Sequence, residues 1–414
     1  MEFFVGKSQK VCYNSLHKNL NMGVHKMNNW KKLLKNNITT AKELKEVLKL
    51  SKEEVIKMEE ILEHYPMSVP LYYFSLINAD DPDDPIRKMC IPNIRETDLG
   101  GSFDTSGEAS NTVIVGMQHK YRETALILST NQCAMYCRHC FRKRLVGLSD
   151  EEIASHFDEM MQYIQEHSQI SNVLISGGDA FLNDDEVIKK YLHSLSKIEH
   201  LDCIRFGTRT PVTFPDRILE DPDLINILRT YSVKKQIYVV THFNHPNEIT
   251  EKSKAAVRSL IAAGIIVRNQ TVLIRGVNDD PMTLGTLLKY LTRIGIVPYY
   301  VFQCRPVTGV KSQFQVPLKR GCEIVDQAKN MQSGLGKCIR YVLSHETGKI
   351  EILGSLNDGE MLFKYHQAKD EEDSERIFIK KNWMMGSAGC KKQFRVIMKA
   401  GRKTGIVSSF SFLP

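Results

Sequence analysis

From about residue 124 the chain settles into a rhythm that restricts its fold more than any single residue does. Apolar, strand-length runs at 125–130, 173–176, 204–208, 237–241, 266–274 and 299–303 alternate with segments of helical periodicity at 150–165, 185–196, 248–263, 283–294 and 320–329. Six β/α units in succession predict a parallel sheet, because each strand reaches its parallel neighbour by a right-handed crossover. The expected fold is α/β, a sheet curling toward a partial (β/α)6 barrel. A doubly wound sheet is the alternative.

The 414 residues, 42% hydrophobic and 25% charged, are ample for a large core and exclude a fibre or a disordered scaffold. Ahead of the repeat, residues 28–75 read as helical. Thr40 and Ser51 suit N-caps, Ser51 with Glu54 makes a capping box, and Leu44, Val47, Leu48, Val55 and Ile61 recur at helical spacing. The acidic stretch 80–85 carries two prolines and reads as a surface turn in preference to a calcium loop. The expected organisation is an N-terminal extension (1–27), a helical N-terminal region (28–123), the barrel (124–355) and a C-terminal segment (356–414).

Lys plus Arg number 56 against 48 Asp plus Glu, a net +8. Spread over this length, the excess does not make a nucleic-acid footprint. Lys391, Lys392, Arg395, Lys399, Arg402 and Lys403 could form one, though a solvated tail is the plainer reading. No cleavable leader and no run of ~20 apolar residues is present, so a cytoplasmic protein without membrane contact is expected. Ten cysteines are too few for a secreted disulfide framework, and three crowd within eight positions, which suggests a metal centre.

The unusual residues follow the strand ends. Cys133-Ala-Met-Tyr-Cys137-Arg-His-Cys140 comes after the first, Gly177-Gly178-Asp179 after the second, Thr208-Arg209-Thr210-Pro211 after the third, Thr241-His242-Phe243-Asn244-His245 after the fourth, and Gln303-Cys304-Arg305-Pro306 after the sixth. In a β/α barrel those ends form the mouth of the active site. Cysteines spaced C-x3-C-x2-C can bind three corners of a [4Fe-4S] cube and leave the fourth iron open to a small chelating molecule. The competing reading is a zinc knuckle with His139 as fourth ligand, which a residue lying between two ligands rarely manages.

The run 133–144, with Ser176-Gly177-Gly178-Asp179, the stretch 241–248, Asn269-Gln270 and Arg275-Gly276-Val277-Asn278-Asp279, resembles the lysine 2,3-aminomutase family of radical S-adenosylmethionine (SAM) enzymes over roughly residues 28–355. The resemblance implies a [4Fe-4S] cluster held by Cys133, Cys137 and Cys140, with SAM along Gly177, Gly178 and Asp179 and faced by His242 and Gln270. A plain core histidine is the other reading of His242. It also implies pyridoxal 5′-phosphate (PLP) on Lys349, flanked by Tyr121 and Lys120, with Thr124 standing where relatives carry an arginine. Lys337, in a glycine-rich stretch, is a decoy without the spacing of a phosphate loop.

The same resemblance gives the reaction: SAM, cleaved by an electron from the cluster, yields a radical that takes hydrogen from Cβ, and the amino group moves between neighbouring carbons. An electron donor such as flavodoxin or ferredoxin and a homo-oligomer are implied. Cys390 alone near the C-terminus predicts no structural zinc there.

Arg142 matches the position that holds the substrate carboxylate, although it could also shield the cluster. Lysine-acting relatives place an aspartate where this chain has Arg305 and an acidic residue before the PLP lysine, where this chain reads Arg340-Tyr341-Val342-Leu343-Ser344. A buried arginine disfavours an ammonium and favours a carboxylate, so the expected substrate is acidic, L-glutamate first. Arg305 could instead serve the PLP phosphate. The alternatives are a lysine 2,3-aminomutase, a radical SAM enzyme that modifies a protein lysine, and, from another class, a metal-bearing nucleic-acid module.

Overall fold

The computed structural model describes residues 29–356, 359–381 and 395–398. The expected extension 1–27, Cys390 and the C-terminal basic stretch, Arg395 apart, lie outside them. Of Arg395 only the backbone is described.

Thirteen strands form one sheet whose spatial order is the order of the chain. They are β1 (Thr112–Ile114), β2 (Met117–Tyr121), β3 (Thr124–Thr130), β4 (Asn172–Gly177), β5 (Cys203–Gly207), β6 (Gln236–Thr241), β7 (Ile266–Leu273), β8 (Val297–Gln303), β9 (Arg340–His345), β10 (Gly348–Ser355), β11 (Glu360–Ala368), β12 (Ile377–Lys381) and β13 (Arg395–Met398). Pairings from β3 through β9 are parallel. The ribbons on either side are antiparallel. Because the parallel order never reverses, right-handed crossovers leave every connecting helix on one face. That rules out the doubly wound sheet and gives an open, partial barrel.

Each of the six crossovers carries one long helix: Phe157–Glu166, Asp185–Leu195, Pro222–Ser232, Glu251–Ala262, Pro281–Arg293 and Leu318–Asn330. Pro281–Arg293 shows why they form. Asp280 caps it by accepting from the Thr283 N–H, Pro281 opens it, and Leu284, Leu287, Leu288 and Leu291 are buried at helical spacing. Cutting one such leucine to alanine costs about 2–5 kcal/mol.

Periodicity overran one helix. The segment expected at 150–165 begins only at Phe157, because the Ala154 N–H donates to the Leu128 carbonyl and ties its first residues to the end of β3.

The strands alternate between two environments. Val173, Ile175, Ile204, Phe206, Ile237, Val239 and Val267 are buried in the cluster that also takes the helix residues Met160, Ile188 and Leu260. Their neighbours Leu174, Arg205, Tyr238, Arg268 and Gln270 point to the inner, partly accessible face.

In the N-terminal region Ser51 and Glu54 form the expected capping box of helix Lys52–His64. Glu43 accepts from the Thr40 N–H at the start of Ala41–Leu44. The acidic stretch is a turn whose last aspartate, Asp84, caps helix Pro85–Cys90. At the far side, β9 and β10 make a hairpin with Lys349 opposite Ser344. Across the β10–β11 pairing Lys349 faces Gln367 while Ile350 faces Tyr365, a bulge that leaves His366 as the extra residue.

Candidate active site

The cysteine loop follows β3 directly, and the backbone of β4 presses it into place. A Cβ on Gly177 would sit 2.3 Å from the Thr130 carbonyl oxygen, and one on Gly178 the same distance from that of Gln132. Gly177 also has φ +117°. The Gly178 and Asp179 N–H groups donate to those two carbonyls, at 2.6 and 2.8 Å. Glycine is thus required by contact with the chain leading into Cys133.

The Asp179 carboxylate turns inward. It accepts from the Thr208 hydroxyl at 2.5 Å and from the N–H groups of Arg209 and Phe181, and its backbone carbonyl accepts from the Leu182 N–H, so Asp179 braces the loop from within.

Burial first, then Asp179 and the sulfurs of Cys140 and Cys137, push the Cys133 thiol up. Burial and Cys137 push Cys140 up to about 11. Each sulfur therefore lies in the field of the others, an arrangement that metal ligation would relieve by removing the protons. No three Cys, His, Asp or Glu side chains among the described residues stand as ligands of one metal ion; the ligands of a cube bind separate irons.

Arg209 Nη1 donates to Cys137 Sγ at 2.7 Å. The same guanidinium pairs with Glu248 at 2.6 Å and donates to the His242 carbonyl. Behind the loop, buried Glu96 takes Arg138 at 2.9 Å through Nε and also Lys143. The donor set and its cationic surroundings fit an anionic iron-sulfur cluster.

The loop after β6 is held by side-chain amides that stand in for backbone. Asn269 bonds both the N–H and the carbonyl of Phe243, Asn244 accepts from the Val272 N–H, and Asn278 donates to the Asn244 carbonyl. This sets His242 at the mouth, where burial first, then Arg209 and Arg142, hold its imidazole down at about 4, neutral at pH 7. The Gln270 side chain, on the inner face of β7, makes no hydrogen bond among the described residues.

Lys349 reaches the inner face from the hairpin. Its Nζ donates to Gln367 Oε1 at 3.1 Å and lies 4.5 Å from the Tyr300 ring centroid, with Tyr121 and Phe302 each at 5.9 Å. Burial first, then Arg205, Arg305 and Lys120, bring it from 10.5 to about 7. An amine with a large neutral fraction near pH 7, walled by aromatic rings, fits the aldehyde of PLP. Lys337 lies elsewhere, exposed in the short helix Gly334–Cys338.

Lys120 spends its ammonium on the Ser106 and His345 carbonyls, at 2.8 and 2.6 Å, and burial pulls it down to about 8. Arg142 is already paired with Glu108 at 2.9 Å and points Nη1 toward Ser176. Burial would raise Glu108, but Arg142, Arg305 and Arg144 bring it to about 2. Arg305 differs from Arg142: it donates to the Ser106 hydroxyl at 2.9 Å and lies 4.0 Å from the Phe141 ring, and although Glu108 is within its electrostatic reach it forms no ion pair among the described residues.

Sequence reading placed Arg209 at a strand end but gave it no role, and it gave none to Glu248, Glu96 or Glu108. Glu248 stands in a motif it quoted, but nothing in the spacing tells which buried cation a carboxylate will meet.

The Radical SAM superfamily matches residues 127–284. A putative L-lysine 2,3-aminomutase of Aquifex aeolicus is 40% identical over 81% of this chain and 90% of its own length. The L-lysine 2,3-aminomutase of Clostridium subterminale is 38% identical over 74% and 73%, and the glutamate 2,3-aminomutase of Clostridioides difficile 37% identical over 74% and 72%. Radical SAM enzymes use a [4Fe-4S] cluster and SAM, and lysine 2,3-aminomutases use PLP in addition. With this mouth and this similarity over most of both chains, the protein belongs to the lysine 2,3-aminomutase family of radical SAM enzymes.

Proposed function

We propose that the chain is a PLP-dependent radical SAM 2,3-aminomutase, an intramolecular aminotransferase of the isomerase class, that converts L-glutamate to its β-amino acid. One observation carries the substrate assignment: the charges that act most on Lys349, those of Arg205, Arg305 and Lys120, are all cationic, and Arg305 forms no ion pair with a carboxylate among the described residues, its guanidinium donating to the Ser106 hydroxyl. A lysine substrate would bring an ammonium into that field. A glutamate side chain would bring the missing counter-charge. The name of the C. difficile relative shows that glutamate is used within the family.

In this reading Cys133, Cys137 and Cys140 hold the cluster, Gly177, Gly178, Asp179, His242 and Gln270 line SAM, and Tyr121 and Lys120 flank PLP at Lys349. Bound there, cluster and SAM supply a carbon radical and PLP a ring that delocalises the unpaired electron. The protein's own part is positioning. The neutral amine of Lys349 is the nucleophile toward the aldehyde, Arg142 and Arg305 fix the two carboxylates, and the aromatic walls keep water out. A low-potential donor such as flavodoxin or ferredoxin and a homo-oligomeric state belong to the same proposal.

Among the described residues no helix is long and apolar enough to cross a membrane. Proton NMR of L-glutamate and L-lysine, each incubated anaerobically with the reconstituted protein, SAM, PLP and a reductant, tests the reading. A β-amino acid from glutamate alone is expected; one from lysine alone rejects the acidic substrate.

A further inference from the structure

Several arginines that face the interior are paired with carboxylates, whereas Arg305, described above, has only the Ser106 hydroxyl. Arg138 meets Glu96, Arg142 meets Glu108, Arg209 meets Glu248, and Arg217 meets Asp185 and Asp221. Arg205 and Arg268 meet no carboxylate. Neither guanidinium forms an ion pair or hydrogen bond among the described residues, and the Nε atom of each is buried without a partner.

Both stand on the inner face of the parallel sheet. Arg205 is the third residue of β5, in register with Tyr238 of β6. Arg268 is the third of β7, opposite Val240 and so nearer the mouth. Arg268 lies 5.5 Å from the Tyr238 ring and 5.0 Å from that of Tyr299. Contact with ring faces offsets part of the charge but leaves the N–H donors empty. Two part-buried guanidinium groups that repel each other, each with a buried Nε–H unused, are costly unless an anion completes them.

We propose that Arg205 and Arg268 form a phosphate seat on the inner face, and that it takes the 5′-phosphate of PLP whose aldehyde end lies at Lys349. The assignment rests on the PLP reading above. Arg268 lies 5.0 Å from the Tyr299 ring, that ring packs 3.8 Å from Tyr300, and Lys349 Nζ lies 4.5 Å from Tyr300, so the seat and the amine flank one pair of aromatic rings within the span of a small molecule. A phosphate dianion matches two cations where a single carboxylate does not, and guanidinium groups suit its oxygens. The other cations nearby have tasks of their own: Lys120 donates to two carbonyls, and Arg142 and Arg305 are assigned above to the two carboxylates of the substrate.

The test compares PLP with pyridoxal, which carries the same aldehyde and no phosphate, by following the visible band each gives on the full-length, anaerobically reconstituted protein. In Arg205→Ala and Arg268→Ala the affinity for PLP should fall at least about tenfold while that for pyridoxal holds, so their ratio collapses. Without PLP these variants should melt no lower than the parent, since removing either charge relieves repulsion. Should alanine prevent folding, Arg205→Gln and Arg268→Gln serve for the same comparison.

An unchanged PLP-to-pyridoxal ratio overturns the seat. If neither aldehyde gives a band even on the parent protein, the PLP reading has failed separately. Phosphorus NMR of inorganic phosphate then decides: line broadening by the parent that is lost in the double variant upholds the seat, and equal lines overturn it.

Discussion

Arg209 Nη1 donates to Cys137 Sγ at 2.7 Å, and Glu248, at 2.6 Å from the same guanidinium, holds it there. A cation with its N–H on a thiolate sulfur stabilises the electron-rich, reduced state of a cluster bound to that sulfur.

Arg209→Gln should therefore lower the cluster potential, on the order of 60 mV for a charge-assisted bond worth about 1.4 kcal/mol in a one-electron couple. Redox titration followed by electron paramagnetic resonance measures it. An unshifted potential with full iron content would remove the bond from the electron-transfer argument.

Lys349 gives a prediction about pH. The nucleophile toward an aldehyde is the unprotonated amine, and burial with three neighbouring cations brings this lysine down to about 7. PLP capture by the apoprotein should accelerate as pH rises through about 7 and level off above it, whereas an ordinary lysine would keep gaining toward 10.5. Stopped-flow absorbance reads the profile, and Lys349→Ala should abolish the lysine-bound band.

Arg305→Gln keeps the reach of the side chain and removes its charge. For L-glutamate kcat/KM should drop about 30- to 100-fold, the loss expected for one charge-assisted carboxylate contact of about 2–3 kcal/mol. PLP binding should be untouched. A comparable loss of PLP affinity would move Arg305 to the cofactor.

Glu96 is buried, 1% exposed, against Arg138 and Lys143. Glu96→Gln strands two cations and should cost about 3–5 kcal/mol, read as a lower urea midpoint. The cysteine loop carries Arg138, so iron retention after desalting should fall with it. Normal stability would mean that water replaces the carboxylate.

The sequence showed the parts of this molecule that repeat. Period-2 and period-3.6 patterning located β3 to β8 and most crossover helices within a few residues, and the cysteine spacing pointed to the loop. The antiparallel ribbons were harder to see: β1 has three residues, and β11, reading Glu-Met-Leu-Phe-Lys-Tyr-His-Gln-Ala, alternates buried Met361, Phe363 and Tyr365 with Leu362, Lys364 and His366 but ends in a polar stretch. Helix Pro222–Ser232 is one that the periodicity did not pick out. Partnering was also hidden. That Arg209 meets Glu248 and Arg205 meets no carboxylate depends on which strands lie side by side, and no local pattern encodes that.

The hairpin that delivers Lys349 makes its aim a matter of odd and even. On β10 the residues on either side, Gly348 and Ile350, face the buried layer, where Ile350 and Ile352 pack. One residue gained or lost in the turn before Lys349 would bring its amine into hydrocarbon and swing Ile350 toward the rings of Tyr300 and Phe302. Chain length there is thus fixed by parity, and the turn would tolerate two-residue changes better than one.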